Sequence, residues 1–374
     1  MADLNAGWPP ALSLALLAVA RAGSTSFDGT QSLKPPAESV WVAELRPPLR
    51  SGQYESAVRK VPAGFRTAVA SWNATTPAGT WIEISLRAQR SGRWTAWYDM
   101  GHWSAALSRG HRHSVNRQQD ADGRVETDTL TLHGPAQAFQ VRAALMREPD
   151  AAGEPSLRLI ALATDPHGSD GRASGVTAGA RGKDLPVPER SQRTASPVSS
   201  SLGGGGDAWC SPASVSMIMA YWAAATDHPA WDVSIESAAS GTYDPVYDGC
   251  GNWPFNVAFA SEHGLEGWVQ RFSGLTDIEG LVAAGIPVIA SIKCNAGELT
   301  GAPYEKTAGH LLVVRGFTES GDVVVNEPYA LPGGIRRVYR RAQFEHAWLT
   351  GSQGAVYLIA PPGMLPRMKR SGGF

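Results

Sequence analysis

The first half of the chain has a strand-like pattern of apolar and polar positions. Ile82, Ile84 and Leu86 occupy every second position, and polar residues separate them. A period of two places one face of a strand in a core and the other in water. Comparable segments between turn residues predict strands at residues 65–72, 81–88, 94–99, 125–132 and 139–146. We therefore predict an all-β sandwich domain over residues 36–165.

The second half, residues 184–361, mixes helical and strand patterns. Residues 210–222 are apolar on nearly every side, which is typical of a buried helix. Two more helices are predicted at residues 254–263 and 276–284, each followed by a glycine. Strands are predicted at residues 287–293, 310–317, 322–326, 336–339 and 355–359, with a hairpin turn at residues 319–322. Helices followed by an antiparallel sheet indicate an α+β domain.

Composition marks the segments outside these two domains. Residues 166–183 are rich in Gly, Ala, Ser and Asp, which predicts an interdomain linker, and residues 362–374 form a C-terminal tail. A second loose stretch, residues 194–206, ends in four glycines. Residues 1–35 are interpreted as a signal peptide or a disordered N-terminus, because the apolar run at residues 11–20 precedes Ala-Arg-Ala. A secreted or cell-envelope-associated protein is therefore expected, although no basic residue precedes the run.

The bulk composition limits the classes of function. Hydrophobic residues make up 43% of the 374 residues and charged residues 18%, so globular cores can form. The net charge of −1 and the lack of a basic stripe argue against nucleic-acid binding. Since no stretch reaches transmembrane length, stable membrane insertion is not expected. Three cysteines are too few for a disulfide scaffold, although a Cys250–Cys294 bridge would leave Cys210 as a free thiol.

A nucleophile and its base can be chosen from the residue pattern. Cys210 precedes Pro212, which belongs in the first turn of a helix, so the thiol lies at a helix N-terminus that stabilises a thiolate. Cys250 also precedes a predicted helix and is interpreted as structural. His310 begins an apolar strand and is the predicted base. After the hairpin, either Asn326 or Glu327 would orient the imidazole, because successive strand residues face opposite sides.

These motifs resemble the papain-like superfamily, and most closely the bacteriocin-processing, double-glycine cysteine peptidases and their stand-alone bacterial relatives. The shared motifs are Cys-Ser-Pro-Ala-Ser at residues 210–214, Gly-His-Leu at 309–311 and Asn-Glu-Pro at 326–328. The resemblance covers residues 184–361 and implies a papain-like fold. It also implies that Gln192, in Val-Pro-Glu-Arg-Ser-Gln, helps to form an oxyanion hole.

The chain departs from the family pattern in three respects. Glu327 stands where these relatives have Asp, and Gln192 lies 18 residues before Cys210, farther than in the transporter-linked members. The transporter domains of those members are missing from this chain.

The predicted function is a thiol-dependent amide hydrolase, a cysteine peptidase with an acyl-enzyme on Cys210 and no cofactor or metal. Its expected partner is a peptide or protein substrate. One alternative is a cell-wall peptide amidase of the same fold, with tryptophans of the N-terminal domain in contact with glycan. Another alternative is a catalytically decayed surface-binding module, which Glu327 in the Asp position would favour. Alkylation of Cys210 distinguishes the enzymatic functions from the binding module.

Overall fold

The fold is described from a computed structural model that covers residues 39–107, 110–165, 177–194 and 202–366. The signal-like run at residues 11–20 and the end of the C-terminal tail lie outside the described residues, as do most of the predicted linker and part of the loose stretch before the four glycines. Within the described ranges, no helix is long and apolar enough to cross a membrane.

Ten strands of the N-terminal region are linked in one hydrogen-bonded sheet. The strands are β1 (Val40–Leu49), β2 (Gly52–Glu55), β3 (Arg59–Thr75), β4 (Thr80–Arg90), β5 (Arg93–Trp94), β6 (Tyr98–Trp103), β7 (Gln118–Gln119), β8 (Gly123–Glu126), β9 (Thr129–Arg147) and β10 (Ser156–Thr164). The long strands β3 and β9 change partners along their lengths: β3 pairs with β10 and β9, and β9 pairs with β2, β3, β4 and β8. The prediction of an all-β N-terminal domain is confirmed.

Three of the predicted strands differ from the observed ones. The segment predicted at residues 94–99 is interrupted, because β5 ends at Trp94 and β6 begins at Tyr98. The segment predicted at residues 125–132 contains a turn, because Thr127 has a φ of 56° and Asp128 separates β8 from β9. Conversely, the predicted break before residue 139 is absent, and β9 continues through Pro135. The register between β3 and β9 shifts beside Pro135, and a strand can accommodate a proline at such an irregularity because no ladder N–H is required there.

The tryptophans considered for glycan contact have different environments. Trp72 and Trp103 are fully buried and lie on either side of Phe255, with ring centroids 6.2 and 5.3 Å away. Trp97 is partly exposed, and the guanidinium groups of Arg87 and Arg142 lie 4.6 and 4.1 Å from its ring centre. Core packing therefore accounts for Trp72 and Trp103, and cation–π contacts with two arginines cover the ring of Trp97.

The C-terminal region is α+β, which confirms the predicted class. Its helices are α1 (Cys210–Ala225), α2 (Ile235–Thr242), α3 (Trp253–Glu262), α4 (Leu275–Ala283) and α5 (Arg341–Ser352). Its strands are β11 (Glu266–Arg271), β12 (Val288–Cys294), β13 (Thr307–Phe317), β14 (Val323–Asn326), β15 (Arg336–Tyr339) and β16 (Ala355–Ala360). They form an antiparallel sheet in the order β11-β16-β12-β13-β14-β15. The predicted hairpin is formed by β13 and β14.

Three elements of this region were not predicted from the sequence: α2, α5 and β11. The sequence of α2 is rich in Ser, Ala and Gly, and α5 carries charged and polar residues around much of its surface. The buried positions of α2 follow a helical spacing but are mostly small or polar, and α5 has no clear 3.6-residue apolar repeat, so tertiary packing stabilises both helices. In α5, Phe344, Ala347 and Trp348 are completely buried.

The two regions share an extensive interface and one hydrophobic core. Helix α3 packs against β3, and β11 lies beside β3 and β10. Polar contacts supplement this packing: Asn73 exchanges two hydrogen bonds with the backbone of Gly267, at 2.6 and 3.1 Å, and Arg158 donates to the carbonyl oxygen of Ser261 at 2.6 Å. Residues 177–183, which the sequence assigned to the linker, contact α4: the Lys183 ammonium donates to the carbonyl oxygen of Ala283.

Candidate active site

The Cys210 thiol lies at the first residue of α1, as the proline pattern predicts. Pro212 is in the first turn of the helix. Backbone N–H groups there have no intrahelical acceptor, so a proline, which lacks an N–H, costs the helix no hydrogen bond. Two serines of the Cys-Ser-Pro-Ala-Ser motif fix this end of the helix to the sheet. The Ser211 hydroxyl lies 3.0 Å from the Tyr357 hydroxyl, and the Ser214 hydroxyl donates to the carbonyl oxygen of Leu311 at 3.3 Å. Cys210 is therefore held beside β13.

The glycines before Cys210 are closely packed, which corrects the interpretation of residues 202–206 as a loose stretch. Gly203 and Gly204 have φ angles of 51° and 87°, a left-handed backbone that favours glycine. A Cβ atom on Gly203 would approach the Cα atom of Gly249 to 2.6 Å, and one on Gly206 would lie 2.5 Å from the carbonyl oxygen of Gln192. Glycine is thus required by close backbone approach rather than by flexibility.

His310 lies on β13 with its imidazole buried between the nucleophile and an acid. The imidazole is coupled electrostatically to the Cys210 thiol, and its Nε2 atom lies 2.5 Å from Oε1 of Glu327. Because Nε2 faces the carboxylate, Nδ1 is the nitrogen left to exchange a proton with sulfur. Thiol, imidazole and carboxylate are therefore electrostatically coupled, and the His310–Glu327 pair is joined by a short hydrogen bond.

The strand register separates the two candidate orienting residues. Asn326 is paired with Val313, so its side chain lies on the same face as Val313 and opposite to His310, three residues away. The Asn326 amide donates to the carbonyl oxygens of Val187 and Pro188 at 3.1 Å and accepts from Arg315 at 2.9 Å. Glu327, one residue later, is on the His310 side. The geometry thus brings Glu327, and not Asn326, to the imidazole.

Glu327 is completely buried, and every contact made by its carboxylate comes from a donor. Oε1 accepts from the backbone N–H of Tyr329 at 3.0 Å, in addition to its contact with His310. Oε2 accepts from the hydroxyls of Tyr304 and Tyr339, each at 3.1 Å. Sequence reasoning missed these two tyrosines, because neither lies in a recognisable motif. They stabilise a buried negative charge that would otherwise be strongly unfavourable.

The charges of these groups shift their pKa values in opposite directions. Burial alone would lower the pKa of His310, but the charge of Glu327 and hydrogen bonds to both neighbours raise it to about 10. Burial would raise the pKa of Cys210, whereas the hydrogen bond from His310 and its positive charge lower the pKa overall. Burial opposes ionisation of Glu327, yet the charge of His310 holds the pKa of this carboxyl below its usual value. The geometry consequently favours a thiolate–imidazolium pair.

Gln192 lies beside the loop before Cys210, but its amide does not point into the cleft. Its Nε2 atom donates to the carbonyl oxygens of Gly206 and Asp207, at 2.7 and 3.0 Å. Both protons of the amide nitrogen are therefore engaged, and the opposite amide orientation would place oxygen against two carbonyl oxygens. In this arrangement Gln192 holds the loop that leads into Cys210.

Comparison with protein families assigns both regions of the chain. Residues 184–356 match the model described as the Peptidase_C39 like family, and residues 22–165 match the Peptidase C39 N-terminal domain. This chain belongs to the peptidase C39-like family. The predicted site residues Cys210, His310, Asn326 and Glu327 all lie inside the first match.

Comparisons with individual proteins add little to the family match. A search of the curated proteins found no match. Among solved structures, a chain in the structure of infectious bursal disease virus Gt strain is 11% identical, with a TM-score of 0.19. The aligned part covers 41% of this chain and only 38% of that viral chain. A similarity of this size carries no argument about fold or function.

Cys210 and His310 of the C39-like region line a cleft of about 640 Å³. The cleft contacts the loop before α1, the segment between α2 and α3, and the β12–β13 connection. Its lining includes the partly exposed rings of Tyr247, Trp253, Tyr304 and Tyr329 together with several glycines. A cleft with aromatic walls and glycine-lined surfaces has room for an extended peptide backbone.

The two other cysteines of this C39-like peptidase are free and buried, so the Cys250–Cys294 bridge considered from the sequence is absent. Cys250 also lines the cleft, but its thiol is directed toward the carbonyl oxygen of Ala239 at 3.4 Å, and burial raises its pKa to about 12. Burial likewise raises the pKa of Cys294. Cys210 alone among the three has a lowered pKa.

Proposed function

We propose that this protein is a cysteine peptidase that hydrolyses peptide bonds through an acyl-enzyme on Cys210, with His310 as general base and acid. Family membership supports a cysteine peptidase in general terms. The single observation that carries the finer proposal is the 2.5 Å hydrogen bond between His310 and the buried Glu327, with His310 and Cys210 lining the same cleft. This order of nucleophile, base and orienting acid is what acyl transfer by a thiol requires.

Each step follows from the positions of these groups. The Cys210 thiolate attacks the scissile carbonyl carbon, forming a carbon–sulfur bond and an oxyanion. Protonated His310 then gives its proton to the leaving amine as the carbon–nitrogen bond breaks. Water, deprotonated by the neutral imidazole, attacks the thioester and releases the acid product and the thiolate. Glu327 keeps the imidazole ring aligned and stabilises its positive charge throughout the cycle.

The oxyanion requires donors near Cys210. The backbone N–H of Cys210 is at the N-terminus of α1, where it has no intrahelical acceptor and where the helix dipole favours negative charge. We assign this N–H as the first donor. Gln192 becomes the second donor only after its amide releases the carbonyl oxygen of Gly206 or Asp207. Substrate binding would therefore have to shift the loop of residues 205–208.

The decayed-site alternative rests on Glu327 in the place of the usual Asp. In this structure the longer side chain reaches Nε2 of His310 and is held by two tyrosine hydroxyls. The substitution thus leaves the geometry of the site intact. The cell-wall amidase alternative uses the same chemistry, and cleavage assays on peptides and on cell-wall fragments distinguish the two substrates.

The first test is alkylation by iodoacetamide between pH 4 and pH 9, followed by mass spectrometry of each cysteine. We expect selective modification of Cys210 below pH 6, because its thiolate is stabilised by His310. Cys250 and Cys294 serve as internal controls, since burial and raised pKa values protect both thiols. A His310→Ala variant should lose the low-pH reaction. If Cys210 reacts only above pH 8 in the native protein, the proposed peptidase function is wrong.

A further inference from the structure

One wall of the active-site cleft is the connection between α2 and α3. We define this wall segment as residues 244–253, of which Tyr247, Gly249, Gly251 and Trp253 contact the cleft. The Tyr247 ring lies across the two glycines: a Cβ atom on Gly249 would approach Cε1 of the ring to 2.5 Å, and one on Gly251 would lie 3.4 Å from the hydroxyl. Tyr247 is nevertheless 48% exposed, so one side of it faces the open cleft.

The wall segment is irregular, and a buried carboxylate organises it. Asp244 is completely buried and accepts from the backbone N–H groups of Val246 and Tyr247, at 3.1 and 3.3 Å, and from the Asn252 amide at 3.0 Å. The backbones of Asp244 and Gly249 also pair with each other. These contacts fix the internal shape of the segment, whereas its position relative to the cleft depends on what the segment packs against.

The N-terminal domain supplies those restraints from two of its loops. The guanidinium of Arg112, 1% exposed, donates to the carbonyl oxygens of Ser240 and Gly241 at 2.8 and 2.6 Å, at the C-terminal end of α2. The backbone N–H of Ser114 donates to Asp244 at 3.1 Å. At the other end of the segment, the carboxylate of Asp128 accepts from the backbone N–H of Trp253 at 2.7 Å.

We propose that the N-terminal domain is a positioning part of the active site, which holds the wall segment so that Tyr247 and Trp253 contact the peptide substrate. Asp128 is the principal positioning residue, since it binds the wall directly at the cleft-lining Trp253. The domain thereby determines which peptides bind productively, while Cys210, His310 and Glu327 keep their own contacts. This inference rests on the proposed peptidase function.

The test compares two alkylating reagents on the full-length protein. Iodoacetamide is small and reports the reactivity of Cys210, whereas a dipeptidyl chloromethyl ketone must also occupy the cleft before it reacts. A panel of such ketones is screened on the unmodified protein, and the fastest reagent is used for all variants. The readout is the ratio of the two second-order rate constants at Cys210.

Three variants isolate the contribution of Asp128. Asp128→Ala leaves the Trp253 N–H unpaired, and we expect the ratio to fall by about tenfold while the iodoacetamide rate stays within about twofold. Asp128→Asn retains an acceptor for Trp253 and should restore the ratio. Asn73→Ala is the matched interface control, because it removes two hydrogen bonds to β11, which is separated from β13 by two other strands.

Each other outcome counts against the proposal. An unchanged ratio in Asp128→Ala, or an equal fall in Asn73→Ala, would show that the wall does not depend on this contact. The lack of any ketone faster than iodoacetamide on the unmodified protein would show that the cleft does not bind peptides. Should Asp128→Ala not fold, Arg112→Lys provides the same comparison at the other end of the segment. Failure of the peptidase function itself is recognised separately, by the absence of low-pH alkylation at Cys210.

Discussion

The charge of Glu327 should control the reactivity of Cys210, and the Glu327→Gln substitution isolates that charge. Oε2 of Glu327 accepts from two tyrosine hydroxyls, which can rotate and accept in turn, so a glutamine can place its NH₂ group there. The remaining amide oxygen then keeps the acceptor positions facing His310 and the Tyr329 N–H. The variant therefore loses the negative charge while it preserves the hydrogen-bond geometry.

The size of the effect follows from the strength of a buried charged hydrogen bond. Such bonds contribute about 1.5–3 kcal/mol, which corresponds to about 10- to 150-fold in the equilibrium constant between the ion pair and the neutral pair. Without the carboxylate the pKa of His310 falls from its raised value, and the pKa of Cys210 rises because the imidazolium is less stable. Because the rate of Cys210 alkylation follows the thiolate fraction, the rate at pH 6 should drop by up to the same factor and should recover as the pH is raised above 9.

The assay is the iodoacetamide rate constant at Cys210 as a function of pH, measured by mass spectrometry. Asn326→Ser is the matched control, because this neighbouring buried side chain lies on the opposite face of β14 and contacts Arg315 instead of His310. Its profile should follow that of the unmodified protein. A rate for Glu327→Gln within about threefold of the unmodified protein at pH 6 would refute the assignment of Glu327 as the stabilising acid.

Three further predictions concern other residues. Burial raises the pKa of Asp128 from 3.8 to about 6, so its charge lowers stability above pH 6 and this cost disappears toward pH 4. Asp128→Asn should therefore raise the free energy of unfolding in urea by up to about 3 kcal/mol at pH 8 and leave it unchanged near pH 4. Gln192→Ala should lower peptide turnover on the order of 100-fold while leaving iodoacetamide alkylation nearly unchanged, because alkylation forms no oxyanion. Tyr339→Phe removes a donor to Glu327 and should lower the urea unfolding free energy at pH 7 by about 1–3 kcal/mol.

Each of these three has a result that would count against it. A stability gain in Asp128→Asn that persists at pH 4 would mean that the carboxylate charge is not its source. Equal losses of turnover and alkylation in Gln192→Ala would indicate a displaced nucleophile rather than a lost oxyanion donor. Unchanged stability of Tyr339→Phe would mean that another donor compensates at Oε2.

Much of the fold was predictable because its patterns are local. The buried helix α1, the hairpin of β13 and β14 and the alternation along β4 are all visible in short windows of the sequence. In contrast, the buried face of α2 has small or polar residues apart from Ile235, and α5 has no strong apolar period, so their helical state depends on neighbours distant in the chain. Pro135 likewise indicates a strand break in the sequence. The strand β9 nevertheless continues through it, because its pairing with β3 is irregular at that point.

By itself the sequence determined which residues are suited to thiol chemistry: a cysteine at a helix start, a histidine on a strand and an acid after the hairpin. It left Asn326 and Glu327 as alternatives for the orienting residue, with Glu327 slightly favoured by the family motif, since both lie at the end of the same strand. Only the tertiary structure decided between them, because the pairing of Asn326 with Val313 directs Glu327 to the imidazole. It also revealed that the hydroxyls of Tyr304 and Tyr339 donate to Glu327 and that Asp128 contacts the wall segment. These contacts join positions far apart in the chain. Such contacts arise when separate elements pack together, and no local pattern encodes them.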